Sequence, residues 1–424
     1  MKVLWITNIL FPEAEQLLTG SGELKASGGW MLGAANALLQ NKEVKLIVAS
    51  VSTKVHKLTK LEGHDILYYI LPMGKGNMNF NMDYCKYWRQ VNNDVKPDVV
   101  HIHGTEYSHG YAYMVACGYD NVVISIQGLT SAYYYYYYYY GMSKKDVYRN
   151  MTFRDLLRGS ILKGQKLFKE RAVYEIAMLK MVKHVIGRTS WDKARVWAIN
   201  PNAKYHFCNE TLRAEFYDGA EWKYEKCNKH SIFLSQAGYP IKGLHQVLNA
   251  MPLILRHYPD AQIRVAGTDI TKSNSVIEKL RLSGYGKYIK SLISKYNLKG
   301  KVLFTGNLNA EQMKSEYLNA NVFVCPSSIE NSPNSLGEAQ ILGTPCIASY
   351  VGGVMDMMKG NEDNIYRFEE IEMLAEKVCR VFADGSKQID MIETASKRHC
   401  QIDNAIQLYH IYQSIKEIQS ETFE

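Results

Sequence analysis

NVFVCPSSIENSPNSLGEAQILGTPCIAS, residues 321–349, is the stretch that decides the fold. Its opening apolar run ends at Pro326 and reads as a buried strand. A small polar loop follows, helical spacing opens near Ser335, and PCIAS (345–349) is a second apolar run. Strand, loop, helix and strand in that order form the repeating unit of a parallel sheet covered by helices on both faces.

The alternation continues outward in both directions. Before residue 200 the candidate strands are KVLWIT (2–7), VKLIVAS (44–50), ILYYIL (66–71), DVVHIH (98–103), NVVISI (121–126) and HVIGR (184–188). After residue 230 a second series adds SIFLS (231–235), QIRVAG (262–267) and KVLFTG (301–306), with helical periods at 243–258 and 310–320. Two series predict an α/β protein of two doubly wound, Rossmann-like domains. We expect an N-terminal domain over 1–210, a C-terminal domain over 211–400, and a last helix in 401–424 that returns to pack on one of them. Polar residues 209–230 show no period and mark the boundary. Open parallel sheets bind ligands beyond the carboxyl ends of their strands, so a cleft between the two domains is the expected site.

The 424 residues are 46% hydrophobic and 22% charged, which excludes a disordered or fibrous chain. The eight cysteines form no CxxC pair, so they read as free thiols in a reducing compartment rather than as a zinc or disulfide framework. The amino terminus is too briefly apolar for a secretory signal, and no run of about 18 apolar residues occurs. A cytoplasmic protein, or one peripheral on the inner face of the cell membrane, is expected. Net charge is +8, yet between residues 144 and 195 there are 14 Lys and Arg against five Asp and Glu. Basic character is therefore local. FRDLLRGSILKGQKLFKERAVYEIAMLK (153–180) mixes those cations with Leu, Ile and Phe at helical spacing, as helices on an anionic membrane surface do. A solvated face on a packed helix reads equally well. Nucleic acid is not expected, because no recognised binding module surrounds the patch. Just before it runs Tyr133 to Tyr140, eight tyrosines in a row.

Chemistry concentrates in four places. In 325–349 the loop Asn331, Ser332, Pro333, Asn334, Ser335 offers backbone N–H groups beside a positive helix end, a seat for phosphate. Glu330 lies in that loop and Glu338 in the helix, where a carboxylate can accept from ribose hydroxyls. Ser335-x-x-Glu338 is also a capping box, and that reading stays open. In SQAGYPIKGLHQVL (235–248) a loop through Gly238 leads to Lys242-Gly243 at a helix start. An ammonium there would neutralise charge growing on a departing diphosphate. Gly28-Gly29 before WMLGAANALLQ allows close approach of backbone to a ligand. The strand ends at His103 and Gln127 face the expected site, and Arg188 and Arg213 follow near the end of the first domain. Either arginine supplies a second cation or a hinge salt bridge.

At this point the sequence resembles the family-4 retaining glycosyltransferases of GT-B fold, as found in bacterial capsule and exopolysaccharide assembly. Glu330 and Glu338, with seven residues between them, match that family's paired glutamates. They are followed by Gly343-Thr344-Pro345-Cys346-Ile347-Ala348-Ser349 and by Gly352-Gly353. The resemblance implies transfer of a sugar from a nucleoside diphosphate, UDP being the commonest carrier, to a glycan or lipid-linked glycan. It implies that Lys242 and Glu330 act at the reacting centre and that Glu338 holds the ribose. Gly28-Gly29 matches a donor-side glycine pair, and His103, Gln127 and Arg188 fall near the sugar or acceptor. Two departures stand out. The family's arginine before the lysine is missing, since residues 235–238 are Ser, Gln, Ala and Gly. Gln127 replaces a frequent histidine and cannot shuttle a proton. No D-x-D motif is present, so no metal and no other cofactor is expected. An epimerase or phosphorylase of the same fold, or a non-enzymatic membrane- or nucleic-acid-binding protein, are the alternatives.

Overall fold

The computed structural model describes residues 1–20, 29–73, 80–135, 137–385 and 389–422. It divides into two compact units, the first formed by 1–131, 168–214 and 399–424, the second by 132–167 and 215–398.

The first unit is built on an eight-stranded sheet in the order β3-β4-β2-β1-β5-β6-β7-β8. Its strands are β1 (Lys2–Thr7), β2 (Lys45–Ser52), β3 (Thr59–Glu62), β4 (Leu67–Pro72), β5 (Val99–His103), β6 (Val122–Ser125), β7 (His184–Gly187) and β8 (Lys204–Phe207). Every pairing is parallel except β3 with β4. Central β1 is buried from Val3 to Thr7, which is why KVLWIT carries no polar alternation. Edge strands β3 and β8 are half exposed and lack an apolar run, so hydropathy gives no sign of them.

The second unit holds a six-stranded, wholly parallel sheet in the order β11-β10-β9-β12-β13-β14. These strands are β9 (Asn228–Leu234), β10 (Gln262–Val265), β11 (Val302–Phe304), β12 (Ala320–Cys325), β13 (Cys346–Ser349) and β14 (Ile365–Tyr366). With helices connecting the parallel strands, each unit is Rossmann-like. The helices expected at 243–258 and 310–320 occupy Leu244–His257 and Ala310–Asn319.

Two segments lie elsewhere than a linear division of the chain suggests. Residues 132–167, assigned from sequence to the N-terminal domain, leave the first unit between β6 and β7 and join the second. Met142 and Val147 are buried in the second unit's core, in one cluster with Val247 and Met251 of helix Leu244–His257. Gly141, at φ +82°, brings the chain so near that helix that a Cβ would stand 2.7 Å from His245 Nε2. The tyrosine run thus supplies anchors: Tyr140 stacks on Phe368 at 5.1 Å between ring centroids, and its carbonyl contacts His245 Nε2 at 2.9 Å. A local hydropathy reading has no access to such a long-range partner.

The C-terminal helix Gln401–Thr422 packs in the first unit, with Leu408, Ile411, Tyr412 and Ile415 in its core. The Tyr412 hydroxyl accepts from Trp5 Nε1 at 2.9 Å and meets His101 Nδ1 at 2.6 Å. All three side chains are buried, so this one hydroxyl satisfies polar atoms on β1 and β5 together. Tyr412→Phe should strand both and lower stability by about 1–3 kcal/mol in denaturant or thermal unfolding. Tyr409→Phe, whose hydroxyl meets Glu43 at the surface, should change it little.

Candidate functional site

In the second unit, β9 and β12 are adjacent parallel strands, so the loops leaving their carboxyl ends meet. The β9 loop turns through Pro240–Lys242 and enters its helix at Gly243. At φ +69°, Gly243 lies so close to the β12 loop that a Cβ would stand 1.7 Å from the Pro326 carbonyl oxygen. No other residue fits there without displacing backbone. The Ser328 amide donates to the Ile241 carbonyl at 2.8 Å and stitches the two loops together. Ser328 Oγ donates in turn to the Tyr137 carbonyl, which ties the tyrosine run to the same loop.

This stitching brings Lys242 Nζ to 2.5 Å from Glu330 Oε1. The carboxylate also accepts from Ser327 Oγ at 2.7 Å. On the other side Gly352, at φ +51°, lies against the Glu330 carbonyl, where a Cβ would approach to 1.9 Å. The Gly353 amide donates to that carbonyl at 3.0 Å. The glycine pair after β13 is therefore a backbone clamp on Glu330. Burial works against the Lys242 charge, but the Glu330 carboxylate and then Tyr239 outweigh it, and the ammonium is held above the ordinary lysine range. Burial first, then Glu330, pushes the neighbouring Cys325 thiol up to about 12, so it stays protonated and is no nucleophile at neutral pH.

The helix after this loop runs Asn334–Ile341, with Pro333 at its cap and no side chain capping it. Glu338 is thus the fifth helical residue rather than the third, and the capping-box reading of Ser335-x-x-Glu338 does not hold. Its carboxylate is buried instead and accepts from Tyr317 Oη at 3.4 Å. The first helical amides have no intrahelical acceptor by geometry, which leaves a partial positive charge beside Glu330's loop. Asn331 and Pro333 are buried, while Ser332, Asn334 and Ser335 are half-buried around that helix start. Gly238 is exposed, and a Cβ there would meet nothing within 4 Å. Its part in the site, unlike that of Gly243 and Gly352, is not a matter of sterics.

His103, Gln127, Arg188 and Gly29 belong to the first unit; Gly29 opens helix Gly29–Leu39, and Gly28 lies outside the described residues. His103 and Arg188 line a cavity of about 40 Å³ with Trp5, Trp30, His101 and Glu210. That volume holds a water or so and not a sugar ring. Burial, then Arg188, drives the His103 imidazole down to about 3, so it is neutral and a weak base. Arg188 is ion-paired with Glu210. Gln127 is half-buried.

The residues that sequence reasoning passed over stand at the carboxyl ends of β1, β5 and β6. Asn8 Nδ2 donates to Glu106 Oε2 at 3.4 Å and Asn8 Oδ1 meets His109 Nε2 at 2.9 Å. The Gly128 amide donates to Glu106 Oε1 at 3.1 Å. Burial, with Glu175 adding to it, raises Glu106 to about 7. Glu175 itself accepts from Thr105 Oγ1 and from the Thr130 and Ser131 amides. A lone glutamate in HGTEYSHG (103–110) carries no sequence signal, because Asn8, Gly128 and Glu175 reach it from three distant segments. Among the described residues no three His, Cys, Asp or Glu side chains gather as a metal-binding set.

Known proteins share these features in part. Residues 221–398 match the family described as "Glycosyl transferases group 1". An uncharacterized glycosyltransferase of Methanocaldococcus jannaschii is 28% identical over 170 residues, which is 40% of this chain and 40% of that one. The chain thus spans about two fifths of the length of such curated relatives. Among solved structures, sucrose-phosphate synthase from Thermosynechococcus elongatus superposes with a TM-score of 0.69 over 98% of both chains at 16% identity. Anabaena Alr3699/HepE, solved in complex with UDP, gives 0.64 over 98% of this chain and 100% of its own at 13% identity. Such likeness gives the architecture: the chain has the GT-B glycosyltransferase fold, and its residues 221–398 carry the group 1 region.

Proposed function

We propose that this protein transfers a sugar from a nucleoside diphosphate to an acceptor hydroxyl, with retention of configuration and without a catalytic metal. The observation that carries the reading is the Lys242–Glu330 pair, clamped between two glycines beside an uncapped helix start at the carboxyl ends of β9 and β12. The group 1 match and the UDP bound by Anabaena HepE support a nucleotide-sugar donor, UDP-linked in the first instance.

The proposed division of labour follows from the chemistry of each group. The open amides of the helix Asn334–Ile341 receive phosphate oxygens, with Asn331 to Ser335 shaping the approach. Lys242, kept protonated by Glu330, offers its remaining N–H groups to the diphosphate and stabilises the charge that grows there as the glycosidic bond breaks. Glu330 holds the ammonium in place and meets the sugar hydroxyls. Glu338 accepts from the ribose. The departing phosphate takes the acceptor proton, a role that a neutral His103 and a glutamine at 127 leave to it. The acceptor is a growing glycan, lipid-linked or belonging to a surface polysaccharide such as a capsule, and binds the first unit near His103, Gln127 and Arg188. The protein works in the cytoplasm. No helix among the described residues is long and apolar enough to cross a membrane.

A thermal-shift series over nucleoside diphosphates tests this. UDP should raise the unfolding temperature by mass action, about 2.7 kcal/mol at a hundredfold excess over its dissociation constant. Lys242→Ala and Glu338→Ala should each reduce that response at least tenfold in affinity. An unaltered response in both would contradict the assignment. Incubation with the UDP-sugar alone separates the rivals: an epimerase would convert it without an acceptor, and a phosphorylase would need inorganic phosphate. A protein acting only by surface binding would be indifferent to Lys242 and Glu330.

Gly352→Ala gives an independent check on the clamp. It touches no proposed ligand atom, yet should displace the Glu330 backbone, cost about 1–3 kcal/mol of stability and weaken donor turnover. Full turnover in that variant would show that the position of Glu330 does not matter.

A further inference from the structure

Two short helices of the second unit expose large apolar side chains next to one another. Helix Phe153–Arg158 presents Phe153, Leu156 and Leu157 at 58%, 71% and 69% exposure, spaced i, i+3, i+4 and hence on one face. Helix Val276–Arg281 has no buried residue and presents Val276, Ile277 and Leu280 at 72%, 61% and 50%. They are held side by side: Thr152 Oγ1 donates to the Leu282 carbonyl at 2.8 Å, and Asp155 packs against Gly284. Single exposed leucines are ordinary on a soluble protein, but six large apolar residues on two adjoining helices are a patch that calls for a partner.

Charge identifies the partner. From 144 to 166 there are seven Lys and Arg and two Asp. Both aspartates, and Glu278 of the neighbouring helix, are spent on capping boxes with their own backbone amides. The exposed cations Arg149, Arg158, Lys279 and Arg281 thus rim the apolar faces with few acids against them. The opposite side of helix Phe153–Arg158 lines a pocket of about 250 Å³, where Arg154 pairs with Asp155 at 3.6 Å beside Arg158 and Lys163, across from Gly238 and Tyr239 of the β9 loop. Apolar side chains flanked by cations match the boundary layer of an anionic bilayer.

We infer that these two helices form a monotopic docking surface for anionic phospholipid. Phe153, Leu156, Leu157, Val276, Ile277 and Leu280 enter the acyl boundary, and the exposed cations Arg149, Arg158, Lys279 and Arg281 meet lipid phosphates. The surface lies in the second unit, beside the loop that carries Lys242. It combines the tyrosine-anchored insertion with a helix more than a hundred residues away, instead of following the basic stretch 144–195 as a whole. It goes beyond the transfer reaction and stands on exposure and charge alone.

Vesicle co-sedimentation of the full chain tests it. The wild type should sediment with equimolar phosphatidylglycerol and phosphatidylcholine and not with phosphatidylcholine alone, and added salt should weaken the binding. Leu156→Glu combined with Ile277→Glu should lower the affinity about tenfold or more. Arg158→Glu should lower it about fivefold for each unit of charge removed. Unfolding temperature and UDP response should stay as in the wild type, and Lys242→Ala should still sediment normally, which keeps this test separate from that of the donor site. Three results would overturn the inference: a wild type that ignores anionic vesicles, a double variant that sediments undiminished, or a double variant whose only change is loss of a dimer in light scattering.

Discussion

The ion pair between Lys242 and Glu330 is the constraint on which the rest of the second unit depends. A half-buried ammonium and a buried carboxylate are each costly alone, and only close pairing with further hydrogen bonds makes them tolerable. The sheet provides that pairing. Adjacent parallel strands β9 and β12 end at the same level, so their loops have to meet. Gly243 and Gly352 remove the two Cβ atoms that would hold them apart. Ser327 and Gly353 then fix the carboxylate and its backbone. The uncapped helix from Asn334 adds a field of the same sign as the ammonium. A cation, a helix start and a screened carboxylate in one place favour a ligand that has both anionic and hydroxyl groups.

The pair also alters the picture that the missing arginine suggested. A lysine working alone against a diphosphate would carry one full charge. Here that charge is shared with Glu330 before any ligand arrives, so the anion has to compete for it. The helix amides supply positive potential that residues 235–238 do not. Residues 132–167 reach the β12 loop through the Ser328–Tyr137 hydrogen bond, although they depart from the first unit's sheet.

Much of the fold is legible in the sequence because parallel strands buried on both faces are continuous apolar runs. KVLWIT, NVFVCP and PCIAS need no partner to be recognised. β3, β8 and β14 leave no such trace, since edge strands are short and partly solvated. The site is legible to the same extent as it is local. Lys242-Gly243, Glu330 and Gly352-Gly353 follow strands directly, and their spacing reports the turns they make. Asn8 and Glu175 converge on Glu106 and His109 from separate segments, and only the folded sheet brings them together. The helix opens at Asn334, one residue before the spacing near Ser335 suggests. Pro333 fixes the cap through φ, while Ser335 looks the better capping residue by type.

A crystal structure of the protein with UDP bears most directly on the central claim. The account requires the β-phosphate within hydrogen-bond reach of Lys242 Nζ and of the first amides of the helix Asn334–Ile341, with the ribose at Glu338. A diphosphate bound elsewhere, with Lys242 still engaged by Glu330 alone, would contradict it.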